Sequence, residues 1–480
     1  MPRGAWFAVL AFACAAPASA QAFDPGPWLA DLEQARAAFH EKYANLDWLE
    51  GERELKLDPL FDDLAKRLRR ARSEAQAMSV FDRLVRKVGD GHVDIDWPEP
   101  KAPKTAQASA PAAAPDLCSK LGYDARQNGS GTAQALAGYV PLPSSGNPLG
   151  AGTVITGGTK LGVIRIGVFQ PQGYPELCRS AVRELAIPAD KPCDDRCEDK
   201  IVTLAYRRLT IGLEDRIHQL KAAGATVLLV DITSNGGGSE WAEAAARMFS
   251  PKPLASERRG FVREEHWAKQ WRQLSADLRE FAKTAARGDK RRLLAWASEA
   301  DAAGKDAETP CPDSGPQCTR IATAGYSTGL VGSAPAGAFA GKDWGVLVFN
   351  PAQFPYHDGV WDGPVIVLAD QETWSAAEEF AAVLQDNKAA VILGARTGGA
   401  GCGHTWGGTP TTLKNSGAVL QLPDCIRFRA DGSNEVRGIL PDIPVAVRAN
   451  DGAQFRARLI AEKLPSAVAQ AEALQHRPAR

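Results

Sequence analysis

Acyl-transfer chemistry needs a hydroxyl or thiol nucleophile beside a group that takes its proton, so serines with unusual surroundings come first. Ser375 has such surroundings. Pro364–Ala369 is an apolar run that reads as a strand buried on both faces. Asp370–Trp374 is a short polar turn, and from Ser375 onward Phe380, Val383 and Leu384 mark one face of an amphipathic helix. A second apolar strand, Ala390–Leu393, then runs into a glycine-rich loop from Gly394 to Gly401. A serine at a helix start sits where N–H groups and the helix dipole favour negative charge. The structural alternative is an N-cap, since Glu378 stands three residues on and completes a capping box.

Two of the seven histidines lie in glycine-punctuated turns. His92 follows Val88-Gly-Asp-Gly at a helix-to-strand turn, where Val93, Ile95 and Trp97 then alternate. His404 lies in Gly401-Cys-Gly-His-Thr-Trp406. His40, His218, His266, His357 and His476 fall in charged helices, a loop or the tail and receive no role. Either turn histidine is neutral near pH 7 once unprotonated, hence a suitable base. Carboxylates able to orient such a ring are Asp90 and Asp94 beside His92, and Glu435 within Asp431-Gly-Ser-Asn-Glu.

The elements that must position these groups alternate. After a helical stretch from Pro27 to about Lys87, Leu161–Phe169 reads as a strand and Ile201–Ala223 as a helix. Thr226–Ile232 reads as a strand, and Asn235-Gly-Gly-Gly238 opens another helix, Ser239–Phe249. This rhythm indicates an α/β core with largely parallel strands. Arg263–Ala303 interrupts it with charged helical sequence carrying Trp267, Trp271, Leu274, Leu278 and Phe281 as a stripe. An aromatic stripe at helical spacing is first a packing surface, and a lid over a cleft is the sharper alternative. The core resumes at Trp344–Phe349; Val419–Leu422 and Cys425–Arg429 read as short strands, and Gln454–Gln475 as a terminal helix.

The chain has 480 residues and a net charge of −1, which points to neither nucleic acid nor an anionic membrane surface. Residues 1–20 have the form of a cleavable export signal: Arg3, an apolar segment Trp6–Ala16, and Ala18-Ser-Ala20 before Gln21. No later run is long and apolar enough to span a bilayer, so a periplasmic or secreted protein is expected. Eight cysteines remain after the cut, an even number that favours disulfides over metal in an exported chain. Proximity suggests Cys311–Cys318 and Cys402–Cys425, while Cys118, Cys178, Cys193 and Cys197 allow three pairings. Cys193 and Cys197 lack a second ligand pair for zinc, and neither metal nor cofactor is expected.

Four motifs together resemble one family. Asp231-Ile-Thr-Ser-Asn-Gly-Gly-Gly238, Ser375-Ala-Ala-Glu378 with Gln385-Asp386, Gly394-Ala-Arg-Thr-Gly-Gly-Ala-Gly401 and Glu435-Val-Arg-Gly-Ile-Leu-Pro-Asp-Ile-Pro-Val445 are similar, in order, to the motifs of tail-specific (C-terminal processing) serine peptidases. The resemblance covers roughly 160–250 and 345–446 plus the region of His92. It implies a ClpP/crotonase-like core of repeated β-β-α units, with an N-terminal helical domain and a helical insertion. The implied layout is signal 1–20, helical domain 21–97, low-complexity linker 98–159, core 160–254, helical insertion 255–343, core with nucleophile 344–448, and tail 449–480. The linker of about sixty residues is short for a peptide-binding PDZ module, and none is expected.

The family's base is a lysine 25 residues after the serine, and that position is Ala400. The tricorn-protease branch instead uses an upstream histidine and a downstream glutamate, which His92 and Glu435 resemble. The resemblance thus implies Ser375 as nucleophile, His92 as base oriented by Glu435, and His404 as alternative base. It also implies an oxyanion hole from the N–H groups of Gly237 and Ala376. An exported serine peptidase acting on peptides or proteins through an acyl-enzyme is expected. A lysine-less, inactive ligand-binding protein on the same fold is the alternative, as is an esterase or amidase.

Overall fold

The computed structural model describes residues 23–99, 116–188, 192–309, 319–404, 410–448 and 450–475. The signal region, Cys311–Cys318 and residues 100–115 of the low-complexity linker lie outside the described residues.

A seven-stranded sheet forms the centre, in the spatial order Ile443–Pro444, Val391–Gly394, Val365–Ala369, Val227–Asp231, Thr159–Arg165, Ala151–Thr156, Val140–Pro141. The first five strands pair parallel and the last two pair antiparallel. The apolar runs are explained by two-sided burial. Leu228, Val230, Val365 and Val367 face the helices Asp195–Ala222, Trp241–Met248 and Ala376–Asp386. Val227, Leu229, Ile366 and Leu368 face the terminal helix Ala453–Gln475 through Ala457, Ile460 and Leu464. The two antiparallel strands fall in the stretch assigned from sequence to a linker. Val140 and Ile155 are among the exposed large apolar residues there, so their alternation is too weak to announce an edge pair.

Two smaller sheets flank this core. Cys425–Phe428 pairs with Arg258–Val262, which pairs with Ile321–Tyr326. The insertion packs on this sheet as a hairpin, Glu265–Thr284 and Arg287–Glu308, burying Trp267, Trp271 and Leu278 with Phe261 and Leu293. The aromatic stripe is therefore a packing face. Asp94–Asp96 pairs with Val419–Gln421 and that strand with Thr411–Thr412. Helices Gly26–Lys42, Leu57–Leu68 and Glu74–Val88 share one apolar core with Leu413, Leu420, Leu422 and Val436. The helical region is thereby fixed against the loops that follow the nucleophile helix. Trp344–Phe349 is not a strand of the sheet but brackets a one-turn helix, Gly345–Val348.

Three disulfides close among the described residues: Cys118–Cys178, Cys193–Cys197 and Cys402–Cys425. Among the described residues no helix is long and apolar enough to cross a membrane.

Candidate active site

Ser375 occupies a sharp strand-to-helix turn. Its φ of 53° and ψ of −120° are strained for a residue with a Cβ, as in the nucleophile turns of other hydrolases. Side-chain and main-chain bonds hold the turn. Thr373 Oγ1 donates to the Ile232 carbonyl at 3.1 Å, Asp370 Oδ1 accepts the Ser234 N–H at 2.9 Å, and Trp374 N–H donates to the Asn235 carbonyl at 2.9 Å. The nucleophile turn and the Asn235–Gly238 turn are thus one unit. Gly237 must lack a side chain: a Cβ there would stand 2.8 Å from Ser375 Cβ and 2.9 Å from the Trp374 carbonyl oxygen.

His92 comes from the other side of the site. The helix Glu74–Val88 ends at Gly89, whose φ of 63° suits glycine, and Asp90 is buried beneath the following turn. Asp90 accepts from Tyr43 Oη at 3.0 Å, Asn45 Nδ2 at 2.8 Å and the His92 N–H at 3.0 Å. It shapes the backbone of the turn and does not touch the ring. The ring spans two partners, with Nε2 3.1 Å from Ser375 Oγ and Nδ1 2.8 Å from the Ala400 carbonyl oxygen. A carbonyl only accepts, so the proton is on Nδ1 and Nε2 is left to accept from the serine hydroxyl. Burial pushes the ring's pKa down to about 4, aided by neighbouring His404 and Arg427 and opposed by the Ala400 bond and by Glu435. The ring is neutral at pH 7. His404 stands 6.0 Å from it, centroid to centroid, and no hydrogen bond joins His404 to Ser375 among the described residues.

Glu435 is buried, and its carboxylate closes a two-pronged pair on the Arg427 guanidinium, with Oε1 2.8 Å from a terminal nitrogen. No hydrogen bond joins it to His92 among the described residues. The expectation that it orients the ring through Nδ1 is replaced by the Ala400 carbonyl, because the ring's one Nδ1 proton is already committed there. Glu435 acts on His92 through its charge alone. Arg427 also donates to the Gly401 carbonyl at 2.9 Å and the Ser375 carbonyl at 3.2 Å, and lies 3.4 Å from Glu379. One guanidinium therefore joins the nucleophile turn, the glycine loop and the closing segment. Burial, with the charge of Glu435, raises the pKa of nearby Glu257 well above the usual carboxylate range.

Glu378 is the second tie. Its carboxylate accepts from Ser375 N at 2.9 Å, Thr397 Oγ1 at 2.5 Å, Gly399 N at 2.8 Å and Ala400 N at 2.8 Å. This holds the loop at the height that brings the Ala400 carbonyl to His92. Neither Arg427 nor the wider role of Glu378 was read from sequence. Glu378 carried a capping signal, but a loop 20 residues further on has no local signature.

Ala376 N–H, at the first helical position, has no acceptor among the described residues, as the helix geometry requires. Gly237 N–H donates to Asn235 Oδ1 at 2.8 Å, so in this conformation it is not turned toward an oxyanion. Asp94 is on the exposed face of its strand, away from the ring. Among the described residues no group of His, Cys, Asp and Glu side chains forms a metal cage.

A strained serine at a helix start, an imidazole in hydrogen-bond reach and a glycine turn beside them are the parts of a serine hydrolase on an α/β sheet. Residues 205–445 match Peptidase family S41, and the chain belongs to that family of serine-type peptidases, whose substrates are peptides or proteins. Among solved structures, mature CPAF is 15% identical with a TM-score of 0.57, covering 94% of this chain and 99% of its own. Mature CPAF complexed with lactacystin is 15% identical with a TM-score of 0.56, again covering 94% and 99%. These likenesses establish the fold over nearly the whole chain. No curated protein sequence matches it.

Proposed function

We propose that this peptidase is exported and cleaves peptide bonds through an acyl-enzyme on Ser375, with His92 as general base. The 3.1 Å approach of His92 Nε2 to Ser375 Oγ, with the opposite ring proton fixed on Ala400, carries this reading. Ser375 Oγ attacks the substrate carbonyl and its proton passes to Nε2. The resulting imidazolium keeps its Nδ1–H bond to Ala400 and is stabilised by the Glu435 charge. Nε2 then gives its proton to the departing amine as the C–N bond breaks, leaving the acyl ester on Ser375. A water, deprotonated by the same nitrogen, attacks the ester and restores the serine.

Ala376 N–H is the first oxyanion donor. Gly237 N–H becomes the second by exchanging Asn235 Oδ1 for the oxyanion as substrate enters. Glu435 sets the charge of the site and Arg427 holds its three segments together. His404 is the neighbouring ring rather than the base. The three disulfides support an oxidising compartment, periplasm or exterior.

The test is digestion of an unfolded protein such as casein, followed by mass spectrometry of the products. Wild type is expected to generate new termini that Ser375→Ala does not. Equal cleavage by both proteins would remove Ser375 from the mechanism, and no cleavage of any peptide or protein by wild type would return the chain to a binding role.

A further inference from the structure

The helical region carries a charge imbalance that the catalytic site does not use. Residues 66–87 hold eight lysines and arginines against Glu74 and Asp82, a local net charge of +6 in a chain whose total is −1. Part of this charge lines one open cleft of about 350 Å³ between the helices Leu57–Leu68 and Glu74–Val88. Arg67 and Arg70 stand on one side and Arg83 and Arg86 on the other, with Gln76 and Ser79 between them. Arg83 and Arg86 are spaced by three residues on one helix and project from one face, while Arg67 stands in the last turn of the first helix and Arg70 in the turn that follows it.

Local carboxylates leave most of this charge unanswered. Arg67 pairs with Asp63 at 2.8 Å, but Arg70, Arg83 and Arg86 form no ion pair among the described residues. Asp82 is turned away to Trp97 Nε1, at 3.4 Å. Nε of Arg83 is buried and has no acceptor among the described residues, which is costly unless a ligand supplies one.

We propose that this cleft docks a run of aspartate or glutamate side chains from the protein substrate. The proposal rests on the peptidase reading for the word substrate, and on the cleft alone for the binding. Guanidinium forks donate paired N–H bonds to carboxylates. Four of them along two facing walls suit a chain of carboxylates better than one compact anion. The net negative charge of the rest of the chain argues against a nucleic acid, whose binding scales with the number of phosphates neutralised. The same helix that supplies Arg83 and Arg86 leads directly into the His92 turn. A substrate held there is held by the element that also carries the base.

The experiment uses the full chain as Ser375→Ala, so that binding is read without turnover. A fluorescein-labelled ten-residue peptide of alternating Glu and Gly is titrated by polarisation, beside the same peptide with Gln for Glu. The expected result is saturable binding of the Glu peptide that weakens with salt, and at least tenfold weaker binding by Arg83→Glu/Arg86→Glu. Arg458→Glu, on the distant terminal helix, is expected to bind as the parent does. Equal binding of the Gln peptide, or no effect of the double variant, overturns the proposal. So does binding of phosphatidylglycerol vesicles with none of the Glu peptide. In the active enzyme the double variant is expected to raise KM for an acid-tagged protein, leaving hydrolysis of a short neutral peptide unchanged. Absence of hydrolysis in wild type would end the peptidase reading, and the binding titration still decides the cleft.

Discussion

The carbonyl oxygen of Ala400 receives the Nδ1 proton of His92 at 2.8 Å. Position 400 is where the family's lysine base is expected, so the position without that lysine is the one that anchors the proposed histidine base. The lysine side chain is absent, and the main chain of the same residue fixes the tautomer that the proposed base requires.

Returning a lysine to that position therefore does not restore a lysine enzyme. Ala400 is 1% exposed, and a Cβ on Gly91 would already lie 3.0 Å from its methyl group. Ala400→Lys is expected to destabilise the fold by about 1–3 kcal/mol through overpacking and to lower kcat by displacing the His92 turn. Denaturant midpoints and peptide hydrolysis measure the two effects. Retained wild-type kcat in this variant contradicts the tight packing of the loop on His92.

Arg427 and Glu435 separate structure from chemistry. Arg427→Ala leaves the Glu435 carboxylate buried without its partner, at an expected cost of about 3–5 kcal/mol in unfolding free energy. Glu435→Gln removes a charge that favours the imidazolium and one arm of the Arg427 pair, while leaving an oxygen to accept from Arg427. It is expected to lower kcat by less than His92→Ala does, since the ring keeps its Ala400 bond. A Glu435→Gln defect as deep as that of His92→Ala would return the orienting role to Glu435.

Much of the fold was legible because its core strands are buried on both faces and read as unbroken apolar runs. Val227–Asp231, Val365–Ala369 and Val391–Gly394 all fall where hydrophobic runs put them. His92 stood out because glycines mark its turn, and Ser375 because it follows a polar turn between an apolar strand and an amphipathic helix. The Ala400 carbonyl was not, because a backbone oxygen has no residue type to betray it. Arg427 was missed for another reason: its strand pairs with Arg258–Val262 across the whole helical insertion, and that register is set by tertiary packing. Glu435 had the right location and a different partner, which local sequence does not distinguish.

The pH dependence follows from the direction of the His92 shift. Its pKa falls to about 4 from the ordinary 6.5, chiefly by burial, so the neutral base persists well below pH 6.5. The acid limb of kcat/KM is expected near pH 4, where an unperturbed histidine would place it near 6.5. Stability is a poorer readout. Below 6.5 the unfolded chain takes up the His92 proton first, which destabilises the fold as pH falls toward 4. Asp90, pushed up to about 6 by burial, takes its proton earlier in the folded state and opposes that loss. Glu378, pushed up to about 7 by burial, titrates well above His92, and Glu378→Gln distinguishes its limb if one is seen. An acid limb at 6.5 that survives in Glu378→Gln contradicts the burial of the ring.

The most direct measurement is the rate at which a fluorophosphonate modifies Ser375, followed by intact and peptide mass spectrometry in wild type, His92→Ala and His404→Ala. The expected result is a single adduct on Ser375 in wild type, slowed about 10²–10⁴-fold in His92→Ala and within a few-fold of wild type in His404→Ala. Folded wild type that takes no adduct, or a His92→Ala protein labelled as fast as wild type, would contradict the Ser375–His92 pair.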